Sequence, residues 1–258
     1  MNQMGPWARD QAAAQSAAAI PEATALGPLY AVGDIHGMDD LLALILAMIA
    51  VDAAGAPATV VFLGDAVNRG PQTRAVLDRL IAGPAESRDR WIVLRGNHEQ
   101  AMLDALTEAQ PTAFSRWLKR GGAATLRSYG GGRKDATPER ARALVGRDHL
   151  EFLAGRPLMH CEDGHLFVHA GVTPGVPLAE QSPEALMTIR DPFLRKRHRL
   201  PYTVIHGHTP TNGQPLLGPR RVGIDTGACL TGVLTAIAID RTSGAHRFLH
   251  ARDDNRRK

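Results

Sequence analysis

Five short apolar runs in this chain each end in residues able to bind a metal, with glycine close by. Leu29-Tyr30-Ala31-Val32 leads into Gly33-Asp34 and then His36. Thr59-Val60-Val61-Phe62-Leu63 leads into Gly64-Asp65, and Trp91-Ile92-Val93-Leu94 precedes Gly96-Asn97-His98. Later runs end at His169-Ala170-Gly171 and at His206-Gly207-His208. Carboxylate, imidazole and amide oxygen form a borderline-to-hard donor set, suited to Mn²⁺, Fe or Zn²⁺ rather than to a thiolate metal. One Asp at a strand end is ordinarily a turn or helix-cap residue. Repetition at five strand ends points instead to a common site.

The elements that must position these residues are legible from periodicity. The three early runs read as buried strands. Helices are expected between them, over 38–51 and 73–82, with Pro71 at a first helical position. Each strand-to-strand step is about 30 residues, the size of a βαβ unit. In an open α/β sheet, ligands bind beyond the carboxyl ends of the strands, so the three clusters should converge on one edge. Further helices are expected over 99–107, 111–119, 138–145 and 148–154, with Gly121-Gly122 and Gly130-Gly131-Gly132 bracketing a loop.

The last third changes character. Runs over 158–162 and 165–169 flank Asp163-Gly164, a hairpin signal. Strands follow over 203–206, 222–225, 233–240 and 246–250. Crossovers first and hairpins later imply an α/β fold of two mixed β-sheets packed face to face, with flanking helices outside.

Composition sets outer bounds. The chain has 258 residues, 44% hydrophobic and 22% charged, enough apolar surface for one large domain over 28–251. Residues 1–27 are Ala- and Gln-rich and read as a disordered arm; 252–258 form a basic tail. A net charge of +4 suits anionic substrates. The excess gathers at Arg195–Arg199 and Arg252–Lys258, which read as a solvated loop and a frayed end, so nucleic acid is not an expected partner. Cys161 and Cys229 fit no zinc or redox spacing. No basic leader precedes an apolar run, and the longest apolar stretch, 41–54, is too short to span a bilayer. The expectation is a cytoplasmic protein with no membrane partner.

Five segments, in order, resemble the motifs of the phosphoprotein phosphatase family of calcineurin-like metallophosphoesterases. They are Gly33-Asp34-Ile35-His36-Gly37, Gly64-Asp65-Ala66-Val67-Asn68-Arg69-Gly70, Gly96-Asn97-His98-Glu99, His169-Ala170-Gly171 and Gly207-His208-Thr209. The resemblance runs from about residue 29 to 240. It implies a four-layer αββα sandwich and a dinuclear centre, most simply of Mn²⁺. Asp34 and His36 would hold one ion, Asp65 would bridge, and Asn97, His169 and His208 would hold the other. The ions would activate a water for in-line attack on phosphorus.

The same resemblance makes His98 the acid for the leaving oxygen and Arg69, Arg95 and Arg190 the phosphate clamp, their planar forks matching phosphate oxygens. Asn97 would also touch the phosphate. His206 could support the site or serve as an alternative ligand, and Asp225 could orient a metal-binding histidine. One departure stands out: Asn68 occupies the place of an Asp that pairs with the acid histidine in the family. A neutral amide could accept the His98 N–H but would support a positive ring less.

The leading reading is a protein phosphatase acting on phosphoserine or phosphothreonine, including dual-specificity forms, with a phosphorylated protein or peptide as partner. The alternative is a diadenosine tetraphosphate hydrolase acting on dinucleoside polyphosphates. That activity calls for a longer cleft with a base-stacking surface, and aromatics are only 5% here. A non-catalytic phosphate-binding relative is the third reading, with Asn68 its one support.

Overall fold

The computed structural model describes residues 27–84, 88–107 and 111–253. Most of the expected N-terminal arm, and the basic tail beyond Asp253, lie outside the described residues.

Two five-stranded sheets carry the fold. In the first, β1 (Leu29–Val32), β2 (Thr59–Phe62) and β3 (Arg90–Val93) run parallel, and β9 (Val233–Ile239) and β10 (His246–Arg252) extend it in the order β10-β9-β1-β2-β3. In the second, β5 (His165–Val168), β6 (Thr203–His206) and β8 (Arg221–Gly223) are parallel. Antiparallel edges flank them: β4 (Met159–Glu162) and β7 (Leu216–Gly218).

Strand alternation builds the layers. On β1, Leu29 and Ala31 face a core shared with Phe167, Ile205, Val222 and Ile224 of the second sheet. Tyr30 and Val32 face the opposite way, against helix α1 (Asp39–Asp52). Side chains of period two on a strand covered on both faces give this continuous apolar pattern. Beyond α1 and α2 (Thr73–Ala82), a helical cluster comprises α3 (Asn97–Thr107), α4 (Pro111–Trp117), α5 (Ala123–Ser128), α6 (Pro138–Val145) and α7 (Arg147–Ala154), packed around Met102, Trp117 and Leu153. The outer face of the second sheet is covered by α8 (Pro183–Thr188) and the segment carrying Phe193 and Leu200. The architecture is therefore two mixed sheets with flanking helices.

Several local readings change. Pro71 lies ahead of α2, which starts at Thr73 with Gln72 as its cap. The segment between the two glycine groups is not a loop. It is helix α5, and the break lies just ahead of it, at Arg120 and Gly121. Gly121 adopts φ 111°, so the glycine pair serves a kink inside helical structure. The short elements β7, α8 and α9 (Ala228–Thr231) were not expected. For α8 the signal was present: Ser182 caps the helix through Ala185 N at 3.1 Å, and Pro183 follows it. Asp163-Gly164 does form the β4–β5 turn, with φ 47° and 72°. Among the described residues, no helix is long and apolar enough to cross a membrane.

Candidate active site

All six parallel strands, β1, β2 and β3 of one sheet and β5, β6 and β8 of the other, end near one cleft. Asp34 and His36 follow β1, Asp65 follows β2, and Asn97 and His98 open α3 after β3. His169, His208 and Asp225 follow β5, β6 and β8. The cleft has a volume of about 850 Å³, and Asp34, His36, Asp65, Asn97, His98 and His208 line it. His169 is fully buried behind it.

Backbone geometry here is unusual. His36, Asp65, Asn68, Arg69 and His208 all have positive φ, between 47° and 71°. Non-glycine residues enter this region at a cost that surrounding structure must offset. Much of that support comes from Glu99. Its carboxylate accepts N–H groups of Asp65 (2.8 Å), Gly96 (2.8 Å) and Val67 (3.2 Å), so one buried side chain ties the Asp65 loop to the start of α3. Asp65 Oδ1 in turn accepts His98 N–H at 2.9 Å, a carboxylate at a helix N-terminus.

The polar atoms converge with lone pairs facing one another. His36 Nδ1 donates to Val67 O at 2.9 Å, which leaves Nε2 unprotonated, 3.6 Å from Asp65 Oδ2. That nitrogen is buried and has no hydrogen-bond partner among the described residues. His169 Nδ1 donates to Leu63 O at 2.9 Å, and its Nε2 faces Asp65 Oδ1 at 3.4 Å and Asn97 Oδ1 at 3.1 Å. His208 Nδ1 lies 2.8 Å from the same Asn97 oxygen. Two groups of potential ligands result, His36–Asp65–His98 and Asp65–His169–His208, sharing Asp65.

Burial sets the charge state of this cluster. It lowers His36 and His208 to about 3 and His98 to about 2, and raises Asp65 and Glu99 to about 7. Asp34 is driven well above the carboxylate range by burial and then by the charges of Asp225 and Asp65. A cation would bring the raised acids back down and is suited by histidines already held neutral, with acceptors aimed at acceptors around the place it would take. The donor set therefore fits divalent metal, and Asp65 is placed to serve both groups.

The remaining expected residues divide. Arg69 and Arg190 line the cleft. Arg69 Nη2 lies 3.1 Å from His98 Nε2, and Arg190 approaches the His208 carbonyl at 3.5 Å. Arg95 does not reach the cleft. Leu94 points into the inter-sheet core, so strand alternation turns Arg95 to the helical side, where Nη1 approaches Ala154 O at 3.4 Å. His206 also points away. It packs edge-on to Phe193, with ring centroids 5.1 Å apart, and against Gly223. Asp225 lines the cleft but makes no bond to a histidine; its Oδ1 accepts Gly227 N–H at 3.0 Å, and Leu63 O orients His169 instead. Asp34 accepts His208 N–H at 3.2 Å on each oxygen. A Cβ on Gly207 would lie 2.0 Å from Asp34 Oδ1, so only glycine admits that carboxylate.

Asn68 behaves differently from the expectation. Its Oδ1 accepts Trp117 Nε1–H at 3.0 Å and the Thr125 hydroxyl at 2.9 Å. Its Nδ2 therefore faces His98 Nδ1, at 3.0 Å. Indole N–H only donates, so reversing the amide would set two donors against each other. Asn68 gives a proton to Nδ1 rather than accepting one, and Arg69, which also only donates, faces Nε2, so neither ring nitrogen has a hydrogen-bond acceptor beside it to support an imidazolium. Sequence reasoning missed Glu99, Trp117 and Thr125 as partners in this arrangement. Glu99 stood inside a quoted motif; Trp117 and Thr125 lie 49 and 57 residues from Asn68 and gave no local signal.

The comparisons agree with this geometry. The calcineurin-like phosphoesterase profile matches residues 27–229. A symmetrical bis(5'-nucleosyl)-tetraphosphatase from Janthinobacterium sp. (strain Marseille) is 30% identical over 227 residues, 85% of this chain and 69% of that protein. The protein of that name from Bordetella parapertussis is 33% identical over 146 residues, 57% of this chain, and the match spans only 44% of its length. A solved structure of a candidate diadenosine tetraphosphatase superposes with a TM-score of 0.63 at 21% identity, covering 89% of this chain and 96% of that one, a likeness of fold. With the cluster at converging strand ends and the profile spanning most of the domain, the chain belongs to the calcineurin-like phosphoesterase family.

Proposed function

We propose that this chain hydrolyses phosphoanhydride bonds in dinucleoside polyphosphates, cutting diadenosine tetraphosphate symmetrically. The observation that carries this reading is the polarity of the Asn68–His98 contact. With Asn68 donating to Nδ1 and Arg69 facing Nε2, His98 lacks the acceptor that would support an imidazolium acid, and the hydrogen-bond donors at the leaving side are those of Arg69. A serine alkoxide leaves poorly without a full proton transfer. A nucleoside diphosphate is a far weaker base and leaves with hydrogen-bond support alone. The names of the relatives support the same substrate class, which makes the alternative in the sequence reading the better one.

In this reading His36 and Asp65, with Asp34 alongside, would hold one divalent ion, and Asp65, Asn97, His169 and His208 the other. Bound ions supply Lewis acidity at phosphorus and an activated water. Arg69 and Arg190 grip the phosphate under attack, bidentately where their forks allow. Arg69, held against His98, steadies the departing oxygen, and Glu99 keeps Asp65 in place.

The test is parallel turnover, with Mn²⁺ and then Zn²⁺ or Fe, on diadenosine tetraphosphate, a phosphoserine peptide and an aryl phosphate. The tetraphosphate should exceed the peptide in kcat/KM by at least about tenfold, with ADP as the only nucleotide product. A peptide turned over faster than the tetraphosphate would return the protein-phosphatase reading to first place.

A further inference from the structure

The cleft has more positive charge than a single phosphate needs. Lys119 and Arg120 line it along with Arg69 and Arg190. Both side chains are exposed, and neither makes a hydrogen bond or ion pair with any described residue. Their backbone is firmly placed. They lie at the kink between α4 and α5, where Arg120 and Gly121 leave helical geometry. Gly121 O accepts the backbone N–H of Arg69 at 3.2 Å, and a Cβ on Gly121 would come within 2.7 Å of that nitrogen. A Cβ on Gly122 would meet the Trp117 ring at 2.4 Å. The two free cations are thus mounted on the residues that present Arg69 and orient Asn68.

We infer that Lys119 and Arg120 form an oligophosphate subsite, which takes the phosphates of the chain flanking the one attacked. The inference rests on the phosphoanhydride reading above and extends it. A monophosphate ester ends at Arg69 and Arg190. A linear oligophosphate carries a negative charge on every further unit, and the other lysine and arginine side chains lining the cleft are these two. Lysine meets such a chain as a point charge and arginine as a fork. The site is open to solvent, so its contribution should fall with salt.

Lys119→Met and Arg120→Gln, alone and together, remove the charges while keeping length. The readouts are KM and kcat for diadenosine tetraphosphate, the inhibition constant of inorganic tripolyphosphate measured against an aryl phosphate, and kcat/KM for that aryl phosphate. In the double variant, KM for the tetraphosphate and the tripolyphosphate inhibition constant should each rise about tenfold or more, with kcat changing far less. Aryl phosphate turnover should fall much less than either. Loss of the tripolyphosphate effect at high salt would support the assignment. An unchanged tripolyphosphate constant, or an equal loss on the aryl phosphate, overturns it. So does a rise in KM for an acidic phosphopeptide with tripolyphosphate unaffected, which would assign the cations to a peptide. If the wild type spares diadenosine tetraphosphate yet tripolyphosphate inhibition still depends on both residues, the substrate reading falls and the subsite stands.

Discussion

Trp117 Nε1 donates to Asn68 Oδ1 at 3.0 Å, and this bond decides which end of the amide meets His98. Asn68→Asp would keep the Trp117 and Thr125 bonds and present a carboxylate oxygen to the ring. The ring would then have an acceptor for a proton at Nδ1. Turnover of a phosphoserine peptide should rise relative to diadenosine tetraphosphate, by about tenfold in the ratio of kcat/KM values. Steady-state kinetics on both substrates checks it, and an unchanged ratio would remove the leaving-group argument.

Arg69 and Arg95 should separate cleanly. Arg69→Ala removes a cleft guanidinium and should lower kcat/KM by on the order of 100-fold with little change in unfolding midpoint. Arg95→Ala removes a buried side chain beside Ala154 and should cost about 1–2 kcal/mol of stability. The catalytic loss should be slight. Paired kinetics and urea titrations distinguish the two, and a large kinetic defect in folded Arg95→Ala would contradict its placement.

Glu99→Gln places an amide among three N–H donors that now share a carboxylate. At least one of them loses its acceptor. Mn²⁺ affinity should fall by about 10–100-fold, as it does when groups supporting metal ligands are removed. Calorimetric Mn²⁺ titration of the folded variant reads this directly. Wild-type affinity would show that the Asp65 loop holds itself.

Glu162 predicts a pH effect remote from the cleft. Burial raises its carboxyl, but hydrogen bonds from His160 (2.7 Å) and Arg241 (2.8 Å), with the charges of Arg90 and Arg241, outweigh it and bring the pKa to about 2. A folded pKa below the ordinary 4.5 means stability that is present above about 4.5 and lost as pH falls toward 2. Glu162→Gln should therefore be less stable by about 1 kcal/mol at pH 7, after allowance for solvent screening. The difference should narrow between pH 4.5 and 2. Denaturant midpoints across that range measure it, and a pH-independent difference would assign the loss to packing.

Much of the scaffold was legible because local patterning and tertiary role coincide. The strands β1, β2 and β6 are buried runs bounded by glycine or polar residues, and their ends deliver Asp34, Asp65 and His208. Arg95 was misread because motif position says nothing about strand parity, and parity turns it toward Ala154. The segment between the two glycine groups was misread as a loop because a glycine pair signals a break; the break is confined to Arg120 and Gly121, and helix resumes at Ala123. The direction of the Asn68 amide could not be read at all. It depends on a donor 49 residues away, brought there by the helical cluster.

The cleft also straddles a joint. No backbone ladder connects the two sheets among the described residues; the first supplies Asp34, His36, Asp65 and Asn97 to the cluster and the second His169 and His208. At the opposite edge the sheets are fastened by Glu162, which bonds Arg90 and Arg241 across the interface. At the cleft edge the cross-links are His169 to Leu63 O and His208 to Asp34 and Asn97. Ions shared by these residues would rivet one sheet to the other. Loading the site should then stiffen the whole sandwich, slowing amide exchange along β2 and β5 together, so that inter-sheet slippage and metal occupancy become one mechanical variable.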